Sequence, residues 1–79
     1  MNKCKYIVTD HGFPEPVVFA ETLTHADVAR AIGGTVLGAG FCYIEDDKYV
    51  CYGFSTSLKI DSRGDVDSLL LNRRFGCLS

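Results

Sequence analysis

Residues 35–55 read TVLGAGFCYIEDDKYVCYGFS: two apolar runs around the polar tetrapeptide Glu45-Asp46-Asp47-Lys48. This pattern predicts a β-hairpin, since short polar turns between β-prone runs reverse the chain. A loop closed over Asp46-Asp47 sets Glu45 opposite Lys48. Moving outward, Ile44 then faces Tyr49, Tyr43 faces Val50, Cys42 faces Cys51 and Phe41 faces Tyr52. A four-residue loop keeps the same pairing. Side chains alternate across a strand. One face therefore carries Val36, Gly38, Gly40, Cys42, Ile44, Tyr49, Cys51 and Gly53; the other carries Leu37, Ala39, Phe41, Tyr43, Val50, Tyr52 and Phe54. Neither face is polar, as a solvated face should be, so each needs a helix, another chain or a target to cover it. The first face is small and suits a closely packed helix. The second is aromatic, and aromatic surface dominates interface energetics.

Working outward, Lys3 to Thr9 alternates as a first strand with Cys4, Tyr6 and Val8 on one side. Asp10 to Pro16 reads as a loop broken by Gly12, Pro14 and Pro16. Val17 to Ala20 reads as a second strand, paired with the first and suited to an edge by the proline at its start. Thr24 is an N-cap, with Asp27 three residues later and Leu23 and Val28 as a hydrophobic staple. Gly33-Gly34 ends that helix, which spans about residues 25–32. Its small stripe of Ala26, Ala29 and Ile32 matches the glycine- and cysteine-rich face of the hairpin. Ser55 to Ile60 continues extended after the hairpin. Asp65 is the expected N-cap of a second helix, about Val66 to Phe75, with Val66, Leu69, Leu70 and Phe75 buried. The order β-β-α-β-β-α makes an α+β domain over residues 1–79: an antiparallel sheet of about four strands with two short helices.

A chain of 79 residues buries only ~60–65% of its unfolded surface and has a small stability margin. Net charge is −2 with scattered Lys and Arg, which disfavours direct nucleic-acid binding, since that requires a basic face. The N-terminus lacks an apolar signal segment and no run is long enough to span a membrane, so the sequence reads as cytoplasmic. Cysteines 4, 42, 51 and 77 lack the paired spacing of a zinc site and read as buried free thiols. Cys42 and Cys51 are the pair to test for oxidation, and Cys77 reads as solvent-accessible.

No catalytic constellation emerges. His11 lies in a loop and His25 opens a helix, with nothing to bring either to a thiol. The Asp46-Asp47 and Asp61 to Asp67 carboxylates lack the spacing of a calcium loop, and Gly38-Ala39-Gly40 lacks the length and Lys-Ser/Thr ending of a phosphate loop. Arg63-Gly64-Asp65 spells an integrin tripeptide by chance in a turn. The partner-binding candidates are Phe41, Tyr43, Tyr52 and Phe54. A second polar set, Ser57, Lys59, Arg63 and Arg73, is the candidate for holding a phosphate or other ligand. The sequence calls for no cofactor and no metal.

Three stretches, HADVARAIGGTVLGAGF, CYGFSTSLKIDSR and the Asp-Leu-Leu start of the second helix, carry a resemblance between His25 and Leu71. The chain there resembles small proteins of unknown role encoded by tailed phages and prophages. In size and character these are similar to phage accessory proteins directed against the host, anti-CRISPR proteins among them. The resemblance implies a non-enzymatic protein that binds and inhibits a host defence or regulatory protein stoichiometrically. Two alternatives remain: an oligomeric sponge for a signalling nucleotide, and a structural or virion-assembly module.

Overall fold

The computed structural model describes residues 3–76. In chain order it contains β1 (Cys4–Asp10), β2 (Pro14–Phe19), α1 (His25–Ile32), β3 (Thr35–Glu45), β4 (Lys48–Tyr52), β5 (Phe54–Ser55), β6 (Ile60–Asp61) and α2 (Asp65–Phe75). Strands β2-β1-β3-β4 form an antiparallel sheet in that order, and β5 and β6 make a two-stranded ribbon. The fold is α+β, as the pattern of the sequence implied. Cys77 lies outside the described residues.

The central hairpin forms in the expected register, from Glu45 opposite Lys48 to Phe41 opposite Tyr52. Asp46 and Asp47 both take positive φ, 51° and 63°. This is the tight turn whose twist matches that of the flanking strands, and aspartate tolerates that backbone region. Helix α1 also begins and ends where expected. Thr24 Oγ1 accepts from the Asp27 amide at 3.1 Å, and the Gly33 amide closes on the Ala29 carbonyl at 2.8 Å with φ 84°.

The turn after β1 is shorter than the two prolines suggested. Strand β2 begins at Pro14, so only residues 11–13 form the turn. Proline is tolerated there because β2 is an edge strand whose outward positions need no donor. Residues 56–59 are not extended. They fold back, with Lys59 at φ 57° and its amide bonded to the Ser55 carbonyl, so that Ser55 meets Ile60.

The larger departures concern which helix covers which face. Helix α2, not α1, lies over the glycine and cysteine face. There Tyr6, Val8, Cys42, Cys51 and Leu71 form the core, with Leu37 and Leu70 packed against it. Gly38 lets α2 come close, and Gly40 does the same for the chain at Tyr52 and Gly53. A methyl at Gly38 would overlap the Asp67 carboxylate of α2, and one at Gly40 would overlap the Tyr52 carbonyl oxygen. Strict alternation places Leu37 on the opposite face. A register shift between Val8 and Thr9 inserts one extra residue in β3 and turns Leu37 toward this core. Helix α1 packs instead on the other face, against β1 and β3. On that side Ile7 and Ala39 sit opposite one another and are fully buried.

The buried stripe of α2 also differs from the expected one. Val66 and Leu69 are 53% and 57% exposed, and Phe75 is exposed too; the side chains turned inward include Asp67 and Leu71, both fully buried. Polar groups occupy this face because each has a partner. Ser68 Oγ accepts from the Cys51 amide at 2.9 Å, and Asn72 both accepts from the Tyr49 amide at 2.7 Å and donates to the Tyr49 carbonyl at 3.2 Å. These are the outward backbone groups of edge strand β4, so α2 closes that edge to strand addition. On the opposite edge, Pro14 and Pro16 remove alternate donors from β2. Asn72→Ala would leave two backbone groups of Tyr49 without partners. It is expected to cost about 1–3 kcal/mol and to accelerate exchange of the Tyr49 amide, measured by hydrogen exchange. Unchanged protection at Tyr49 would show that the contact does not hold the edge.

Candidate functional site

On the face carrying α1, a row of rings crosses the sheet. His25, the first residue of α1, packs edge-on between Phe19 of β2 (5.5 Å between centroids) and Phe41 of β3 (5.9 Å). Phe41 lies 5.9 Å from Tyr52 of β4, and Tyr52 lies 5.6 Å from Tyr43. The register makes this row: Lys5 pairs with both Phe19 and Phe41, and Phe41 pairs with Tyr52. Lys3 Nζ stands 4.6 Å over the Phe41 ring, a cation–π contact. Helix α1 covers the two central strands, β1 and β3, on this face. Tyr52 remains 39% exposed and Phe54 56%, while Phe41 and Tyr43 are half-buried. All four expected partner-binding rings thus reach one side of the molecule, and none is enclosed.

Next to this row lies a pocket of about 320 Å³, lined by Lys5, Thr24, His25, Phe41, Phe54, Thr56 and Ser57. Two bonds hold its walls: Ser57 Oγ accepts from the Ala26 amide at 3.2 Å, and Lys5 Nζ donates to the Leu23 carbonyl at 2.8 Å. The imidazole of His25 is only 4% exposed. Its Nε2 meets the Gly40 carbonyl at 2.7 Å. A carbonyl only accepts, so Nε2 carries the proton and Nδ1 of the neutral ring is an acceptor. Among the described residues Nδ1 has no hydrogen-bond partner.

Burial, the largest cause, lowers the His25 pKa, and the nearby Lys5 ammonium adds to this; the Gly40 carbonyl opposes both. In the unfolded chain the ring takes its proton near pH 6.5. Between that value and the lower folded one the unfolded state binds more protons, so stability falls as pH falls. Compared with His25→Phe, which keeps a ring in the row but cannot titrate, the wild-type urea midpoint is expected to decline progressively below pH 6.5. Equal pH dependence of the two proteins from pH 7.5 to 5 would contradict a ring held neutral by its surroundings.

Of the second candidate set, only Ser57 lines the pocket. Arg63 is committed elsewhere: its Nε and an Nη atom donate to Asp67 Oδ1 at 2.8 and 2.7 Å. Lys59 and Arg73 are exposed and lie outside the pocket lining. Sequence reasoning passed over Lys5, Thr24, Thr56 and the site role of His25. No local pattern marks them, because the pocket joins β1, the α1 cap, β3 and the β5 ribbon across long stretches of chain.

The thiols form a different row on the α2 face, where Cys4 pairs with Cys42 and Cys42 with Cys51. All three are free. Burial pushes Cys42 up to about 12 and Cys51 to about 11, so both are protonated and poorly nucleophilic at neutral pH. His25 lies across the sheet from them, while His11 is bonded to Glu15 at 2.9 Å in the β1–β2 turn. Among the described residues no three His, Cys, Asp or Glu side chains gather as a metal-holding group, and no helix is long and apolar enough to cross a membrane. Compared with family models, curated proteins and solved structures, the chain finds no match in any of the three.

Proposed function

We propose that this protein is a non-enzymatic inhibitor that binds a host defence or regulatory protein stoichiometrically, using Phe41, Tyr43, Tyr52 and Phe54 as its contact surface. The observation that carries this reading is the aromatic row, which links rings from β2, β3 and β4 and is left open by α1 at Tyr52, with the exposed Phe54 beside it in the pocket lining. Side chains of α2 occupy the β4 edge and prolines interrupt the donors of the β2 edge, which favours a partner on this face over an added strand. A few central aromatic residues dominate most protein interfaces. The phage-type resemblance between His25 and Leu71 supplies the class of target.

The test is affinity capture from host lysate, identification of the captured protein and titration of the purified pair. Tyr43→Ala/Tyr52→Ala is expected to weaken binding by about 100-fold or more while shifting the melting temperature by less than about 5 °C. A double variant that binds within threefold of wild type would remove this surface from the interface. Light scattering tests whether the face instead joins two copies of the chain. A concentration-dependent dimer abolished by the same double substitution would assign the face to a second copy of the chain and overturn the inhibitor reading.

A further inference from the structure

We infer that the pocket between the α1 N-terminus and β5 binds a planar heteroaromatic ring carrying an N–H or amino donor, a ligand of the nucleobase class. Three features lead to this chemistry. First, two phenyl rings line the same pocket. Phe41 is fixed within the aromatic row, whereas Phe54 is largely exposed. Flat bases stack on such rings with little dependence on base identity. Second, His25 lines the pocket, is anchored through Nε2 and keeps Nδ1 as an acceptor with no partner among the described residues; that nitrogen is not closed off from solvent, since among the described residues Thr9 Oγ1 alone is a buried side-chain polar atom without a partner. A ring bearing a donor satisfies that nitrogen, whereas a plain phenyl group leaves it unpaired. A ligand that covers such a nitrogen and gives it no donor loses affinity. Third, the remaining lining is polar, with the Lys5 ammonium and the hydroxyls of Thr24, Thr56 and Ser57. These groups suit the ring carbonyls, sugar or phosphate of a nucleoside monophosphate.

The volume of about 320 Å³ lies at the low end of ligand pockets, which run from roughly 300 to 1,000 Å³. It fits one ring system with a short substituent rather than a dinucleotide. Phe41 and Phe54 belong both to this pocket and to the contact surface proposed above, whereas Tyr43 and Tyr52 do not line the pocket, so Tyr43→Ala/Tyr52→Ala tests the interface while leaving the pocket lining in place.

The experiment is an NMR titration of the full chain with four probes: adenosine 5′-monophosphate, uridine 5′-monophosphate, phenyl phosphate and ribose 5-phosphate. The signals followed are the side-chain nitrogens of His25 and the amides of Thr56 and Ser57. At least one nucleotide is expected to bind saturably below about 1 mM, shifting Nδ1 of His25, while phenyl phosphate and ribose 5-phosphate bind at least tenfold more weakly. Phe54→Ala removes an exposed ring and is expected to leave the fold intact while weakening nucleotide binding about tenfold. No His25 shift with either nucleotide at 10 mM would overturn the inference. So would phenyl phosphate or ribose 5-phosphate matching the nucleotides, or Phe54→Ala binding like wild type.

Discussion

Replacing Asp67 by asparagine is expected to lower the urea midpoint of unfolding by about 2 M. Asp67 is fully buried and collects four hydrogen bonds. Oδ1 accepts from two guanidinium nitrogens of Arg63, and Oδ2 accepts from the Arg63 amide at 2.9 Å and the Tyr6 hydroxyl at 2.5 Å. The Tyr6 oxygen in turn lies 2.6 Å from Ser62 Oγ. A phenol has one proton, so Tyr6 gives it to Asp67 and accepts from Ser62. Burial first, then the Asp67 carboxylate, pushes the Tyr6 hydroxyl far above its ordinary range, which keeps it a donor. An asparagine retains one acceptor for Arg63 but turns an NH₂ group toward the Arg63 amide, donor against donor. Breaking a buried pair on one side costs about 3–5 kcal/mol. The lower end applies here because the Arg63 side chain is one-third exposed. A domain of this length holds roughly 4–12 kcal/mol in all, and about 3 kcal/mol corresponds to about 2 M urea at the slope of a small protein. Tyr6→Phe removes only one of the four donors and is expected to cost about 1–2 kcal/mol. If the two substitutions cost the same, the Arg63 ion pair adds nothing to the Tyr6 bond that ties α2 to β1.

Gly40→Ala is expected to reduce the melting temperature by roughly 15 °C, against the usual sign. Glycine inside a strand normally weakens it by ~0.5–1 kcal/mol relative to alanine, so the substitution would stabilise an ordinary strand. Here the added methyl would meet the Tyr52 carbonyl oxygen and crowd Gly53 and Ser62. These are backbone and a tethered side chain, not the free end of a flexible group. Overpacking that forces backbone movement costs up to about 3 kcal/mol. A thermal melt of Gly40→Ala at or above the wild-type temperature would refute the close approach of the two segments.

Much of the architecture is legible in the sequence, for reasons particular to each element. The β3–β4 register follows from a polar turn centred on Asp46-Asp47, whichever loop length closes it, and α1 from a cap, an acidic third position and a terminal Gly33. The faces are harder. Alternation cannot register the extra residue opposite Val8 and Thr9, which moves Leu37 to the other side. Periodicity counts Asp67, Ser68 and Asn72 as outward because they are polar. They turn inward because Tyr6, Cys51 and Tyr49 offer them bonds from 17 to 61 residues away, a distance no local window spans. The aromatic row was visible because its outer members share one hairpin. The pocket was hidden because its parts meet only after the ribbon of residues 54–61 folds back.

The proline pair at one rim and the serine–asparagine pair at the other have a consequence for crowded solutions. Growth of cross-β fibres needs a free row of alternating donors and acceptors on which another molecule can be templated. Neither rim of this folded sheet presents one, so when molecules of this protein crowd together their contacts run through side chains. Such contacts offer no backbone template, so an assembly built from them does not grow as cross-β.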